Sequence, residues 1–192
     1  MHYHRIAAFL CGCLIFGGLF MIFVATENFQ TVDSVLASPP REAAQMFQTL
    51  GAEKSRLLLR YLAGEENQLF FVAWEWAQIA LGIALTAILF FAIRRWLLTG
   101  LAGGMVLLTL FQRFGVTPQM IALGRSIDFE TGTGSVGYNQ FMWLHGLYGV
   151  LEVVKLVLVM AVAGLLFFWS AQARRRRPRS QDRKASELTA TS

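Results

Sequence analysis

The stretch FMWLHGLYGVLEVVKLVLVMAVAGLLFFW, from Phe141 to Trp169, decides how this sequence folds. It contains no proline, and at about 1.5 Å of rise per residue an α-helix of this length exceeds the roughly 30 Å of a membrane's hydrocarbon core. It nevertheless carries His145, Glu152 and Lys155 inside the apolar run. An ionised side chain in a bilayer costs at least about 2.5–3.5 kcal/mol, so these three side chains should face protein, water or one another. The stretch therefore predicts partner helices that have polar positions of their own.

Three further apolar runs supply these partners. Of the 192 residues 55% are hydrophobic and only 15% are charged, whereas soluble domains are nearer a quarter charged. The runs cover Ile6–Thr26, Leu69–Ile93 and Trp96–Thr117, and each is long enough to span a membrane. A soluble helical bundle would need polar faces that Ile6–Val24 lacks. The predicted fold is therefore an all-α membrane protein, a four-transmembrane-helix bundle.

The distribution of basic residues predicts the orientation. The short connection at Arg94 and Arg95 and the four arginines 174–177 fall at the same end of the helices, and such clusters stay on the cytoplasmic side. We therefore expect both termini in the cytoplasm. The basic tail, residues 171–192, cannot bury a core and should be disordered and contact anionic lipid. It has no aromatic or fold support for nucleic-acid binding, so we expect no nucleic-acid partner.

The segment between the first two runs predicts an extracytoplasmic amphipathic hairpin over residues 39–64. Ser38 and two prolines resemble a helix start, and Arg41–Leu50 is amphipathic and followed by Gly51. A second amphipathic helix, Ala52–Ala63, would end at Gly64. Docking onto the mouth of the bundle and binding a partner protein are both compatible with such a hairpin.

Small residues and cysteines within the runs predict packing and no metal site. The pairs Ala8 with Gly12 and Gly100 with Gly104 have the small-xxx-small spacing that lets helices approach closely. The two cysteines, two positions apart in the first run, point about 200° apart on a helix, so they should neither pair nor bind a metal. We interpret them as packing residues.

Polar residues in three runs predict a shared cleft that opens toward the outside. By helix rise, Glu75 lies about 9 Å, Arg113 about 6 Å and His145 about 6–8 Å from the outer ends of their helices. Glu152 follows His145 after nearly two turns, and Lys155 is within pairing distance at i+3. The candidate cleft for a ligand or ion is lined by Glu75, Gln78, Gln112, Arg113, His145, Glu152 and Lys155.

Two interpretations of these residues stand side by side. Ion pairs that lock helices together would be structural, whereas ionisable residues inside a membrane are typical of ion or substrate sites, with Glu152 and His145 as the leading residues. The sequence contains no catalytic motif and only one histidine inside a run, where a b-type haem needs two. We predict no enzyme activity, cofactor or metal. The leading hypothesis is a protein that binds or passes a small polar solute or ion; the alternative is a structural or assembly subunit held to other membrane proteins.

Short motifs around the third and fourth runs carry a resemblance. They are Val116-Thr117-Pro118, then Ile121, Leu123 and Arg125, and finally Phe141 with Leu144-His145-Gly146. In these the sequence resembles the bacterial relatives of transmembrane protein 205, a group of four-helix membrane proteins of unknown function. The resemblance covers about Arg5–Trp169 and implies the same fold and a location in the bacterial inner membrane. It implies no activity, and His145 is the candidate residue that its motif contains.

Overall fold

The computed structural model describes residues 2–126 and 136–175, almost all of them helical. The elements in chain order are α1 (His2–Ala37), α2 (Arg41–Leu50), α3 (Ala52–Ala87), a first π-helical segment (Ile88–Ile93), α4 (Trp96–Phe111), a second π-helical segment (Gln112–Val116), α5 (Thr117–Ser126) and α6 (Val136–Arg175). Four stretches are long and apolar enough to cross a membrane: His2–Ala37, Ala52–Ile93, Trp96–Ser126 and Gly137–Trp169. The prediction of an all-α chain with four helices of this kind is confirmed. Residues 127–135 and the tail from residue 176 lie outside the described residues, so the expected disorder of the tail stays a prediction.

α1 and α3 are longer than the predicted crossings. Polar contacts continue between them beyond the apolar runs: Asn28 Nδ2 donates to Asn67 Oδ1 at 2.6 Å, and Arg60 lies 3.4 Å from Asp33. Gly64 does not end a helix, because α3 runs through it into the second apolar run. A glycine inside a helix costs only about 1 kcal/mol, which these contacts to α1 can offset. The predicted hairpin therefore differs in its second member, which is the start of α3.

α2 is the one separate short helix between these two. It spans Arg41–Leu50, and Gly51 follows in the left-handed region at φ 86°, where glycine is favoured. Pro40, and not Ser38, occupies the N-cap position, without a side-chain cap. The end of the helix that Gly51 predicted is confirmed, whereas the predicted serine cap was wrong.

The four long helices pack side by side. α1 contacts α3 and α6, and α4 also contacts both α3 and α6. We call the end with the α3–α4 turn the Arg94 end, and the opposite end, where Arg125 of α5 pairs with Glu65 of α3, the Glu65 end. An apolar cluster fills each end, with Leu10, Leu85, Leu98, Val106, Val162 and Leu166 at the Arg94 end and Val116, Met120, Leu144 and Leu151 at the Glu65 end.

Two glycines allow the closest helix contacts, and neither belongs to the predicted pairs. A Cβ atom on Gly82 would lie 2.7 Å from a methyl carbon of Val106, and one on Gly17 would clash with the indole ring of Trp74. The glycines of the predicted pairs, Gly12, Gly100 and Gly104, have no such neighbour among the described residues. Ala8 is exposed, whereas Ala7 and Cys11 are buried. The prediction of these contacts was wrong: on α1 the packing face lies one position earlier, and on α4 Gly100 is exposed.

Candidate functional site

Six of the seven predicted residues lie together between the two apolar clusters, in what we call the polar layer. α3 contributes Glu75 and Gln78, the second π-helical segment contributes Gln112 and Arg113, and α6 contributes Glu152 and Lys155. Pro118 follows the π-helical segment by two residues, and because proline lacks an N–H it interrupts regular α-helical bonding. A π-helical segment is a frequent feature of functional sites, and here it carries two residues of the layer.

One half of the polar layer, which we call the Glu152 network, is closely hydrogen-bonded. Lys155 Nζ lies 2.7 Å from Glu152 Oε1 and donates at 2.6 Å to Gln78 Oε1. Gln78 Nε2 donates to Glu152 Oε2 at 3.1 Å, and Gln112 Nε2 donates to Glu152 Oε1 at 2.9 Å. Lys155 is 2% exposed. Acid, base and two amides from three elements thus satisfy most of one another's hydrogen-bonding groups.

The other half is built around Glu75, which is completely buried. Thr117 Oγ1 donates to Glu75 Oε1 at 2.5 Å. The second carboxylate oxygen, Oε2, lies 3.7 Å from Arg113 Nε, which is too far for a hydrogen bond. The Arg113 guanidinium also lies over the rings of Trp76 and Phe114, at 5.6 and 5.9 Å. Among the described residues, partners for Glu75 therefore satisfy only one of its two carboxylate oxygens.

Four buried polar atoms at this place have no hydrogen-bond partner among the described residues: Glu75 Oε2, Gln112 Oε1, Arg113 Nε and the Tyr148 hydroxyl. Tyr148 is 4% exposed and packs edge-on against Phe71. Its hydroxyl lies against the Glu75 carboxyl group and the Gln112 amide, without a well-formed hydrogen bond to either. Because buried polar groups in folded proteins are nearly always paired, these atoms set this place apart from the Glu152 network. We call the place formed by Glu75, Gln112, Arg113 and Tyr148 the Glu75 site.

His145 does not join the polar layer. The interior face of α6 is formed by Leu144, Tyr148, Leu151 and Lys155 at helical spacing, and all four are buried. His145 and Glu152 lie at the edge of that face. The longer Glu152 reaches inward with its side chain 19% exposed, whereas His145 is exposed and stacks on Phe141 at 6.1 Å. Tyr148 and Thr117 take part instead, and neither is among the predicted cleft residues.

The predicted outward-opening cleft is a packed layer with a small lateral cavity. The cavity has a volume of about 30 Å³ and lies between α1 and α6, lined by Leu14, Gly18, Ile22, Glu152 and Lys155 together with residues of α3 and α4. A cavity of this volume can hold a water molecule. Towards the Glu65 end, the apolar cluster with Val116 and Leu144 covers the layer. The space thus adjoins the Glu152 network from the side.

Residues 2–126 and 136–175 contain no group of three His, Cys, Asp or Glu side chains that could hold a metal ion. Comparison of the chain with protein-family models, curated proteins and solved structures gave no match. The arrangement of the polar layer is therefore the basis for a functional proposal.

Proposed function

We propose that this chain is a membrane protein whose polar layer binds a small polar ligand or ion at the Glu75 site. The observation that carries the proposal is the Glu75 carboxylate, which is fully buried and has one oxygen without a partner among the described residues. Burying a carboxylate is costly unless it is paired and hydrogen-bonded. Such a group is expected where something else supplies the missing bond.

The direction of access follows from the proposed orientation. Arginines at the Arg94 end and in the tail support placing that end and both termini in the cytoplasm. The Glu65 end and α2 would then lie outside, and the ligand would enter from there. We propose the bacterial inner membrane as the location and a four-helix bundle related to the bacterial relatives of transmembrane protein 205, on the motifs around Thr117 and His145.

Binding has better support than passage. Between the polar layer and the Arg94 end, the helices are filled by a cluster of buried apolar side chains. It includes Leu85, Leu98 and Val162, which are 0% exposed. A polar ligand crossing that cluster would lose its hydration without compensation. Passage would require the ligand to cross this cluster as well as the one that covers the polar layer at the Glu65 end, whereas binding at Glu75 requires a path through the Glu65 end alone.

A second candidate is a structural or assembly subunit of a larger membrane complex. The Glu152 network favours it, because a charge pair supported by Gln78 and Gln112 already links α3, α6 and the second π-helical segment. In that function Glu75 would be a further helix contact, and the external partners would be other membrane proteins.

The two candidates are separated by the thermal unfolding of the purified protein in lipid nanodiscs, measured against pH and against added NaCl or KCl. A ligand that binds only the folded state stabilises it by about 2.7 kcal/mol at a concentration of 100 times its Kd. We expect a shift with pH or salt in the parent chain, its loss in Glu75→Gln, and its retention in Glu66→Gln, which changes an exposed acid on the same helix. A parent chain without any shift, together with a Glu75→Gln variant that no longer co-purifies with a membrane protein, would reject binding and favour assembly.

A further inference from the structure

The Glu75 site contains two hydrogen-bond donors and two acceptors that the described residues leave unused. The donors are Arg113 Nε and the Tyr148 hydroxyl, and the acceptors are Glu75 Oε2 and Gln112 Oε1. A water molecule donates two hydrogen bonds and accepts two, and buried waters typically make about three. The unused groups therefore match one water in number and in kind.

The spacing of these groups supports the same ligand. The separation of 3.7 Å between Arg113 Nε and Glu75 Oε2 exceeds a direct hydrogen bond, and a polar contact across such a gap is typically bridged by water. The Tyr148 hydroxyl lies against both Glu75 and Gln112, so it joins the two acceptors around one position. These contacts connect all four groups, from Arg113 through Glu75 and Tyr148 to Gln112.

The surroundings favour a small occupant of low charge. Glu75 and Gln112 are 0% exposed and Tyr148 is 4% exposed, so the site is closed off from solvent, which favours an occupant as small as water. Arg113 already places a positive charge next to the carboxylate, which disfavours a metal cation that keeps its charge on binding, whereas a proton bonds to the carboxylate and neutralises it. A water molecule, and the proton that it can deliver, meet both conditions.

We infer that the Glu75 site holds one ordered water molecule, bound by Glu75, Arg113, Gln112 and Tyr148, and that the ion bound there is a proton. When a hydronium ion arrives, it gives one proton to Glu75 Oε2 and remains as the neutral water. Gln112 then links the water to the Glu152 network, because its amide donates to Glu152 Oε1 at 2.9 Å. The identity of the ion rests on the proposed function, whereas the water site rests on the four unused groups alone.

Infrared difference spectroscopy tests both parts. The full chain in lipid nanodiscs is compared at acidic and neutral pH, in ordinary water and in water labelled with heavy oxygen. We expect a carboxylic acid band on acidification and an O–H stretching band of bound water that shifts in the labelled solvent. Glu75→Gln should lose both bands. Tyr148→Phe removes only the hydroxyl and should keep the acid band while the water band is lost or shifted.

Two controls keep the outcomes distinct. Glu66→Gln, which changes an exposed acid on the same helix as Glu75, should retain both bands, and Tyr138→Phe, on the same helix as Tyr148, should match the parent chain in both. An acid band that disappears in Glu75→Gln without any solvent-sensitive water band would overturn the water site and leave proton binding at Glu75 standing. A water band without a Glu75 acid band would support the water and reject the proton, and the absence of both would reject the entire inference. An unchanged melting profile of Tyr148→Phe shows that the variant is folded.

Discussion

Replacing Lys155 by methionine tests whether the Glu152 network stabilises the packing of the helices. Lys155 is 2% exposed and its ammonium group has two short contacts, at 2.6 Å to Gln78 and 2.7 Å to Glu152. Methionine has a similar length and is apolar, so it fills most of the same space. The substitution therefore removes the charge and the two hydrogen bonds while causing little change in volume.

The expected loss of stability follows from the Glu152 charge, which the substitution leaves buried without its partner. Hydrogen bonds to charged groups contribute about 1.5–3 kcal/mol each, and removing one partner of a buried ion pair costs about 3–5 kcal/mol, because the other charge stays buried. Hydrogen bonds between membrane helices average only about 0.6 kcal/mol, but Lys155→Met also leaves Glu152 without its counter-charge. We therefore expect a loss of about 3 kcal/mol in the free energy of unfolding. The double variant Glu152→Leu with Lys155→Met should lose less than the sum of its parts, with a coupling energy of about 2 kcal/mol.

The assay is reversible unfolding in mixed micelles or nanodiscs, followed for the parent chain, the two single variants and the double variant. Lys54→Met is the matched control, because Lys54 is exposed on the same helix as Gln78, and it should change stability by less than about 0.5 kcal/mol. Equal stability of Lys155→Met and Lys54→Met, or additive effects in the double variant, would refute the stabilising role of the network.

Three further substitutions test the packing. Gly82→Ala should destabilise the folded protein by about 1–3 kcal/mol, because the added Cβ would lie 2.7 Å from a valine methyl on α4. Gly104→Ala has open space around the added atom, so its stability should stay near that of the parent chain in the same unfolding assay. Equal effects of the two substitutions would contradict the assigned contact. Arg94→Gly should raise stability by about 1 kcal/mol, since Arg94 has a φ of 56°, and a loss of stability would show that its side chain matters more than its backbone. Asn67→Ala should cost about 1 kcal/mol by leaving Asn28 without its partner at 2.6 Å, and the double variant with Asn28→Ala should be no worse; additive losses would disprove the pairing.

The sequence was sufficient to predict the four long apolar helices and most of the polar layer. Spacings of three between Glu75 and Gln78, and between Glu152 and Lys155, place each pair on one helix face whatever the rest of the fold. A polar face inside a membrane must turn toward protein, so the three helices had to bring these faces together. These rules need no knowledge of the neighbouring side chains.

The prediction of which helix face contacts a neighbouring helix failed where several faces of the helix are chemically alike. The first run is apolar all round, and the difference between the Ala8–Gly12 face and the Ala7–Cys11 face depends on the shape of its partners, as the contact between Gly17 and Trp74 illustrates. His145 was misplaced for a related reason, because a residue at the edge of a face can turn either way. Tyr148 was not predicted as a site residue because an aromatic residue at helical spacing with buried apolar positions has the pattern typical of a core residue.

The two charge pairs in the polar layer differ in how completely they are hydrogen-bonded, and this difference makes Glu75, and not Glu152, the leading candidate for a functional residue. If the layer only held helices together, both pairs would be expected to be satisfied, since an incomplete buried pair costs free energy without adding stability. The Glu152 pair meets that expectation with contacts of 2.6–3.1 Å. The Glu75 pair does not, with a gap of 3.7 Å and an oxygen that lacks a hydrogen-bond partner within the described part of the chain. The sequence alone favoured Glu152 and His145 as the functional residues. Under the proposed function, Glu75 is instead the group that exchanges with the surroundings, and Glu152 is the fixed charge beside it. A Glu75→Gln variant should therefore lose ligand response while remaining folded, and a Glu152→Gln variant should lose stability first.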